Sequence, residues 1–270
     1  MKVAFQGERG AYSESAVYQF FGASAEVKPC RDFKGVFESV AKQETLFGVV
    51  PVENSLEGSV NQTYDLFLKY DLKVCGEVIV KIEHCLIANQ STSLEAVKAV
   101  YSHPQALAQC RSFLEQLGRE LIPTYDTAGS VKMLKEKGLK DAAAVASERA
   151  AELYGMKILA RDIADNKENY TRFFVLAKED AAVSGKDKTS IIFGAAHAPG
   201  SLYHALGEFA KRSINLTKIE SRPTKQTPWE YNFYLDFEGH RSEVRCAEAL
   251  KALEKYTAFI KILGSYPKAV

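Results

Sequence analysis

The order of its apolar runs constrains this chain more than any other feature. Up to about residue 178, short strand-like runs end in polar or glycine-containing turns that open amphipathic helices, and after residue 188 the order becomes β-α-β-β-α-β. The first pattern calls for parallel-rich sheets with helices on their faces, and the second for a ferredoxin-like unit. In the first part, Lys2 to Phe5 precedes a helix near Ser13, and Phe47 to Val52 precedes one carrying Val60, Tyr64, Phe67 and Leu68. Val100 and Tyr101 precede one helix carrying Leu107, Cys110, Leu114 and Leu117, and Glu120 to Tyr125 and Ala142 to Ala146 repeat the order. In the second part, strands are expected at Thr189 to Ala196, Ile214 to Ser221, Glu230 to Phe237 and Ala258 to Leu263. Leu202 to Ala210 and Val244 to Leu253 read as helices. The polar stretch from Glu179 to Lys188 reads as the linker.

Composition excludes several function classes. With 35 Lys+Arg against 34 Asp+Glu, a net charge of +1 argues against the basic footprint of a nucleic-acid binder. No apolar run approaches the ~20 residues of a membrane span, and Met1 to Gly7 leads into a strand and a turn rather than a signal peptide. The expected location is the cytoplasm. Five cysteines without a Cys-x-x-Cys pair fit reduced thiols, and the scattered histidines give no metal-ligand spacing.

Chemistry is expected beyond the carboxyl ends of the strands, where helix N-termini offer free N–H groups to a small anion. Small polar residues collect at such turns in Gly7 to Ser13, Pro51 to Ser55, Ser102 to Gln105 and Asp126 to Ser130, and also where a strand opens at Asn169 to Phe173. Each has a plainer reading. Ser102 with Gln105 fits a capping box, Asn54 or Ser55 fits a helix cap, and Gly7 and Gly10 fit ordinary turns. Thr171 fits a structural strand hydroxyl, and His103 before Pro104 fits a turn residue.

Taken together and in order, Gly7-Glu8-Arg9-Gly10-Ala11-Tyr12-Ser13-Glu14, Pro51-Val52-Glu53-Asn54-Ser55, Ser102-His103-Pro104-Gln105 and Asn169-Tyr170-Thr171-Arg172-Phe173 resemble the signatures of prephenate dehydratase. Ile214 to Pro223 resembles the phenylalanine-sensing ACT domain attached to that enzyme. The resemblance implies conversion of prephenate to phenylpyruvate, CO2 and water without a cofactor or metal. It also implies feedback inhibition by phenylalanine and a homodimer or homotetramer. The fold it implies is an α/β catalytic domain at about residues 1–180, two-lobed like type II periplasmic binding proteins, with an ACT domain at about 188–270. Lobe one would comprise about 1–76 and 171–178, and lobe two about 77–168. A fused chorismate mutase region, found in some relatives, is not expected.

By the same resemblance, Thr171 is the donor to the departing hydroxyl, Arg172 clamps a carboxylate, and Phe173 packs on the ring or the cleft wall. Asn54, Ser55, Ser102, Gln105 and Thr127 supply neutral donors. Glu53 is either protonated, turned away to brace its loop, or set against the ring hydroxyl. In the regulatory part, Gly200, Ser201, Leu202, Asn215 and Leu216 would receive phenylalanine, with Ser201 where relatives usually carry alanine. Glu220 and Arg222 would hold the domain interface. Arogenate dehydratase shares these motifs, and a non-catalytic module binding a small anion shares the two-lobed cleft.

Overall fold

A computed structural model describes residues 1–195, 198–224 and 229–269. The chain begins with β1 (Lys2–Gln6), α1 (Tyr12–Phe21), β2 (Glu26–Cys30), α2 (Phe33–Ala41), β3 (Phe47–Asn54), β4 (Gly58–Ser59), α3 (Asn61–Lys69) and β5 (Lys73–Lys81). It continues with β6 (Cys85–Ala88), β7 (Ala99–Ser102), α4 (Pro104–Gln109), α5 (Arg111–Leu117), β8 (Glu120–Pro123), α6 (Thr127–Lys137), β9 (Ala142–Ala146), α7 (Glu148–Tyr154), β10 (Lys157–Ala160) and β11 (Tyr170–Ala177).

These strands form two sheets. The first runs β2-β1-β3-β11-β5 with β4 attached to β3, and the second runs β10-β6-β9-β7-β8. β1 lies parallel to β2 and β3, and β7 lies parallel to β8 and β9. β6 pairs antiparallel with β9 and β10, so the second sheet is mixed. All five residues of β9, Ala-Ala-Ala-Val-Ala, are buried, as a strand covered on both faces requires. Helix ends follow local chemistry. Asp126 caps α6 by accepting from Gly129 N at 2.7 Å, and Gly138 ends it in the left-handed conformation. The single helix expected over Leu107 to Leu117 is instead α4 and α5, because Cys110 (φ −114°, ψ 23°) leaves helical geometry between them.

The last part comprises β12 (Asp187–Ala195), α8 (Ser201–Ala210), β13 (Leu216–Pro223), β14 (Tyr231–Glu238), α9 (Val244–Leu253) and β15 (Thr257–Pro267). Its sheet is β13-β14-β12-β15, antiparallel throughout, the ferredoxin-like order. Ile191, Phe193, Leu235 and Phe237 meet Ala205, Phe209, Ala249 and Leu253 of the two helices in one apolar core. The expected linker is shorter than its sequence suggests. Asp187 and Lys188 already belong to β12, and the Asp187 carboxylate takes the Ser184 and Gly185 N–H groups. The Ala196 end expected for this strand lies outside the described residues.

Two compact units emerge from the contacts, Met1–Lys69 with Val78–Phe173, and Tyr70–Glu77 with Phe174–Val270. Strands β5 and β11 therefore contribute to both. Within the second unit, the start of β5 packs against β12 and β15. Glu77 pairs with Lys188 at 3.0 Å, and a Cβ on Gly264 would overlap the Val74 backbone. No helix among the described residues is long and apolar enough to cross a membrane.

Candidate active site

In the first unit, an open cleft with about 420 Å³ of empty space is lined by Tyr12, Asn54, Ile82, His84, His103, Gln105, Ala106, Gln109, Thr127 and Thr171. Among the described residues, its lining carries no lysine, arginine or carboxylate; hydroxyls, amides and imidazoles supply the polarity. Strand ends place them: Asn54 closes β3, Thr171 is the second residue of β11, and His84 sits between β5 and β6.

The polar groups are joined. Asn54 accepts the Leu56 and Glu57 N–H groups at 3.0 and 3.1 Å, an Asx turn that fixes its amide. Its Nδ2, with two hydrogens, lies within donating distance of three acceptors, Asn169 Oδ1 at 2.7 Å, Thr171 Oγ1 at 3.0 Å and the Tyr170 carbonyl at 3.1 Å, so one hydrogen is shared between two of them. Asn169 Nδ2 donates to Gln109 Oε1 at 3.0 Å, and the same oxygen lies 3.0 Å from His84 Nε2. On the other side of the ring, His84 Nδ1 lies 3.0 Å from the Tyr12 hydroxyl, which donates to the Glu83 carbonyl at 2.7 Å. Burial pulls the His84 pKa down, partly offset by Gln109, and holds the Tyr12 phenol well above its usual value. Burial also pushes the Cys110 thiol up to about 12, so it is no thiolate nucleophile.

Of the residues expected from the sequence, the structure brings Thr171, Asn54, Gln105 and Thr127 into this lining and places the others elsewhere. Ser102 is fully buried, and its hydroxyl donates to the Val145 carbonyl at 2.6 Å. The cap of α4 is the His103 imidazole, which accepts the Gln105 N–H at 3.2 Å, so the expected Ser102–Gln105 capping box does not form. Ser55 ties β3 to β11 by donating to the Glu168 carbonyl and accepting from Tyr170 N. Arg172 lies 3.6 Å from Glu53, and neither lines the cleft, because strand alternation sends both away from the face of Asn54 and Thr171. Phe173 is buried in the core, 2% exposed. Ile82, His84, Ala106 and Gln109 line the cleft without having been singled out, and Tyr12 enters it from the Gly7 to Glu14 motif. A buried histidine inside the apolar stretch Val78 to Ala88 is the one signal that could have marked His84.

The Gly7 to Glu14 loop binds protein rather than opening onto the cleft floor. Glu14, fully buried, accepts from Gly10 N at 2.7 Å, Arg9 Nε at 2.8 Å and Arg149 Nε at 3.2 Å. Ser147 donates to the Gly10 carbonyl at 2.6 Å, and a Cβ on Gly10 (φ +90°) would press on Ala150. The loop thereby fastens α1 of the first sheet to α7 of the second. Only its Tyr12 reaches the cleft.

In the ACT-like part, Gly200 adopts φ 81° at the start of α8, Ser201 and Leu202 begin that helix, and Ser201 is buried. Asn215 donates to Glu238 at 3.3 Å, and Leu216 of β13 pairs with Phe237 of β14. Glu220 pairs with Lys218 at 3.3 Å, and Arg222 is buried opposite Asn232.

Residues 3–181 match the prephenate dehydratase family and residues 189–255 match the ACT domain family. A bifunctional chorismate mutase/prephenate dehydratase of Aquifex aeolicus is 48% identical over 273 residues, covering all of this chain and 74% of that protein. A chloroplastic protein of Arabidopsis thaliana, arogenate dehydratase/prephenate dehydratase 2, is 45% identical over 99% of this chain and 73% of its own length. Among solved structures, prephenate dehydratase from Arthrobacter aurescens in complex with L-Phe superposes with a TM-score of 0.91 at 33% identity, covering 99% of this chain and 90% of that one. The likeness thus spans both halves of the chain, and the chain belongs to the prephenate dehydratase family, with an ACT domain behind its dehydratase region.

Proposed function

We propose that this cleft carries out the decarboxylating dehydration of prephenate, and that Thr171 is its proton donor. Breaking the bond to the ring carboxylate releases CO2 and sends an electron pair through the ring to expel the hydroxyl at the far carbon. The product, phenylpyruvate, gains an aromatic ring, so the chemistry asks for no nucleophile or electron sink. It asks for one pose and for a proton on the departing oxygen. The observation that carries this reading is the polarity at Thr171. Its oxygen accepts from Asn54 Nδ2, and its own hydrogen has no acceptor among the described residues, which leaves it free for a ligand. As that hydrogen moves toward the leaving hydroxide, the Asn54 N–H stabilises the charge building on the threonine oxygen.

The two carboxylates of prephenate would be held by neutral donors, Gln105, Thr127 and His103 among them, while Arg172 and Glu53 brace each other outside the lining. The test is turnover of prephenate without metal or cofactor by the parent, Thr171→Ser and Thr171→Val. Valine keeps the shape and should lower kcat by about 10²–10⁴-fold, with serine retaining most activity. Near-parental turnover by the valine variant would remove Thr171 from the role. Arogenate carries an ammonium where prephenate carries a keto oxygen, and side-by-side kcat/KM values for the two substrates decide between them.

The catalytic domain is assigned to about residues 1–180, with lobes at about 1–76 plus 171–178 and at about 77–168, and the ACT domain to about 188–270. Phenylalanine is the effector, received where Gly200 brings backbone N–H groups of α8 within reach, with Ser201, Leu202, Asn215 and Leu216 around it. Pairing of ACT domains gives a homodimer or homotetramer, with Glu220 and Arg222 at the domain interface, in the cytoplasm. Loss of phenylalanine inhibition in Gly200→Val is the expected result, and unchanged inhibition moves the effector site elsewhere.

A further inference from the structure

The amide orientations in the cleft are dictated from one end. Backbone N–H groups can only donate, so the Asn54 atom facing Leu56 and Glu57 is oxygen and its other terminus is NH2. That NH2 faces Asn169 at 2.7 Å, which makes the facing Asn169 atom Oδ1 and turns its own NH2 to Gln109. The Gln109 atom receiving it is then Oε1, and a ring nitrogen 3.0 Å from that same oxygen must carry a hydrogen. His84 is therefore protonated on Nε2, and its neutral form presents a bare Nδ1 to the Tyr12 hydroxyl. Tyr12, with one hydrogen, faces two acceptors, the Glu83 carbonyl and His84 Nδ1. No member of this chain can reverse without breaking the link to the next.

We propose that Asn169 and Gln109 are positioning residues of the reaction, and that with Asn54 they form a relay of fixed polarity whose two outputs are the Thr171 hydrogen directed at the cleft and the Nε2–H tautomer of His84. The functional consequence rests on the dehydratase reading above; the tautomer does not. Through Asn54, the relay keeps an N–H on the Thr171 oxygen. Through Gln109, it sets which ring nitrogen of His84 is left for Tyr12, a cleft-lining hydroxyl. The relay uses neutral groups only, so its direction does not depend on a charge that an incoming anion would disturb.

Two nearly isosteric substitutions separate this from a packing role. Asn169→Asp keeps the acceptor for Asn54 but sets oxygen against Gln109 Oε1. The glutamine turns over, and its NH2 then faces His84 Nε2, forcing the ring to Nδ1–H. Gln109→Glu instead leaves an acceptor toward both Asn169 and His84, so the polarity survives. Long-range ¹⁵N–¹H correlation spectra of histidine-labelled full-length protein should show His84 as Nε2–H in the parent and in Gln109→Glu, and as Nδ1–H in Asn169→Asp. With prephenate, Asn169→Asp should lose on the order of 10²-fold in kcat at little change in KM. An Nδ1–H tautomer in the parent overturns the relay, as does an Asn169→Asp variant that changes neither tautomer nor kcat. If the parent fails to turn over prephenate while the tautomers behave as described, the dehydratase reading falls and the relay stands.

Discussion

Strand β5 and its neighbours border two polar clusters built on opposite plans. In the cleft, Asn54, Asn169, Gln109, His84 and Tyr12 are linked hand to hand without a carboxylate or guanidinium among them. In the second unit, Glu77 on β5 and Lys188 on β12, 4% and 9% exposed, form a charged pair at 3.0 Å, and Ala269 N adds a hydrogen bond to the same carboxylate at 2.9 Å. Charges attract from any direction, whereas amides bond only in the orientation their atoms allow. The pair can therefore hold elements together without specifying a direction, and the amide chain can specify a direction while contributing little net stability per bond. Stability should respond to the charged pair and activity to the amide chain.

The sharpest break of that contrast is Asn54→Asp. The new carboxylate still accepts the Leu56 and Glu57 N–H groups, but its second oxygen meets the acceptors on Asn169 and Thr171. Thr171 then turns its hydrogen to the aspartate and away from the cleft. Steady-state turnover of prephenate should fall by about 10²–10⁴-fold, with a thermal midpoint within a few degrees of the parent. In the other cluster, Lys188→Met removes the ammonium 3.0 Å from the buried Glu77 carboxylate and should cost about 3–5 kcal/mol in urea unfolding. Glu77→Leu combined with Lys188→Met should recover most of that loss, since an apolar pair fills the same space. Failure of the double variant to recover would mean that the charges do more than hold.

Next in size is Gly264→Ala. An added Cβ there runs into Val74 backbone atoms, which cannot swing aside as a side chain can, so overpacking should cost about 1–3 kcal/mol. Because the contact is backbone against backbone, kcat of the protein that remains folded should be unchanged.

The two clusters were also unequally visible in the sequence. Thr171, Asn54, Gln105 and Thr127 sit at strand ends and helix starts, where local pattern points to a cleft, and the motif resemblance named them. His84 and Gln109 lie 25 residues apart in the sequence, and Gln109 meets both His84 and Asn169 only in the folded chain. Nothing local distinguishes Gln109 from any polar helix residue. Ser102 shows the opposite failure. A serine three residues before a glutamine satisfies the capping pattern, yet burial under β9 claimed its hydroxyl for Val145, and His103 took over the cap. The β-α-β-β-α-β order was legible because each run alternates with its own period. The break at Cys110 was not, because Leu107, Cys110 and Leu114 keep helical spacing through it and all three pack in one core.

Glu14 combines the two plans and yields the smallest predicted effect. It is fully buried like Glu77 and takes two guanidinium groups, yet it also accepts a directed backbone N–H from Gly10. Burial alone would raise its pKa, but the Gly10 N–H, Arg9 and Arg149 outweigh burial and hold it below the ordinary carboxylate value. A carboxylate whose folded pKa is depressed adds stability that is present above the unfolded value of about 4.3 and is lost as pH falls through the folded value. Glu14→Gln keeps an oxygen for Gly10 and removes the charge. It should therefore be modestly less stable than the parent at pH 7, by about 1–2 kcal/mol, and the gap should close as pH falls below about 4.3. Urea unfolding of both proteins at pH 7 and in steps down to pH 3 measures the convergence. A gap that stays constant through that range would assign the stabilisation to shape and to the Gly10 N–H, and would move Glu14 from the charged plan to the directed one.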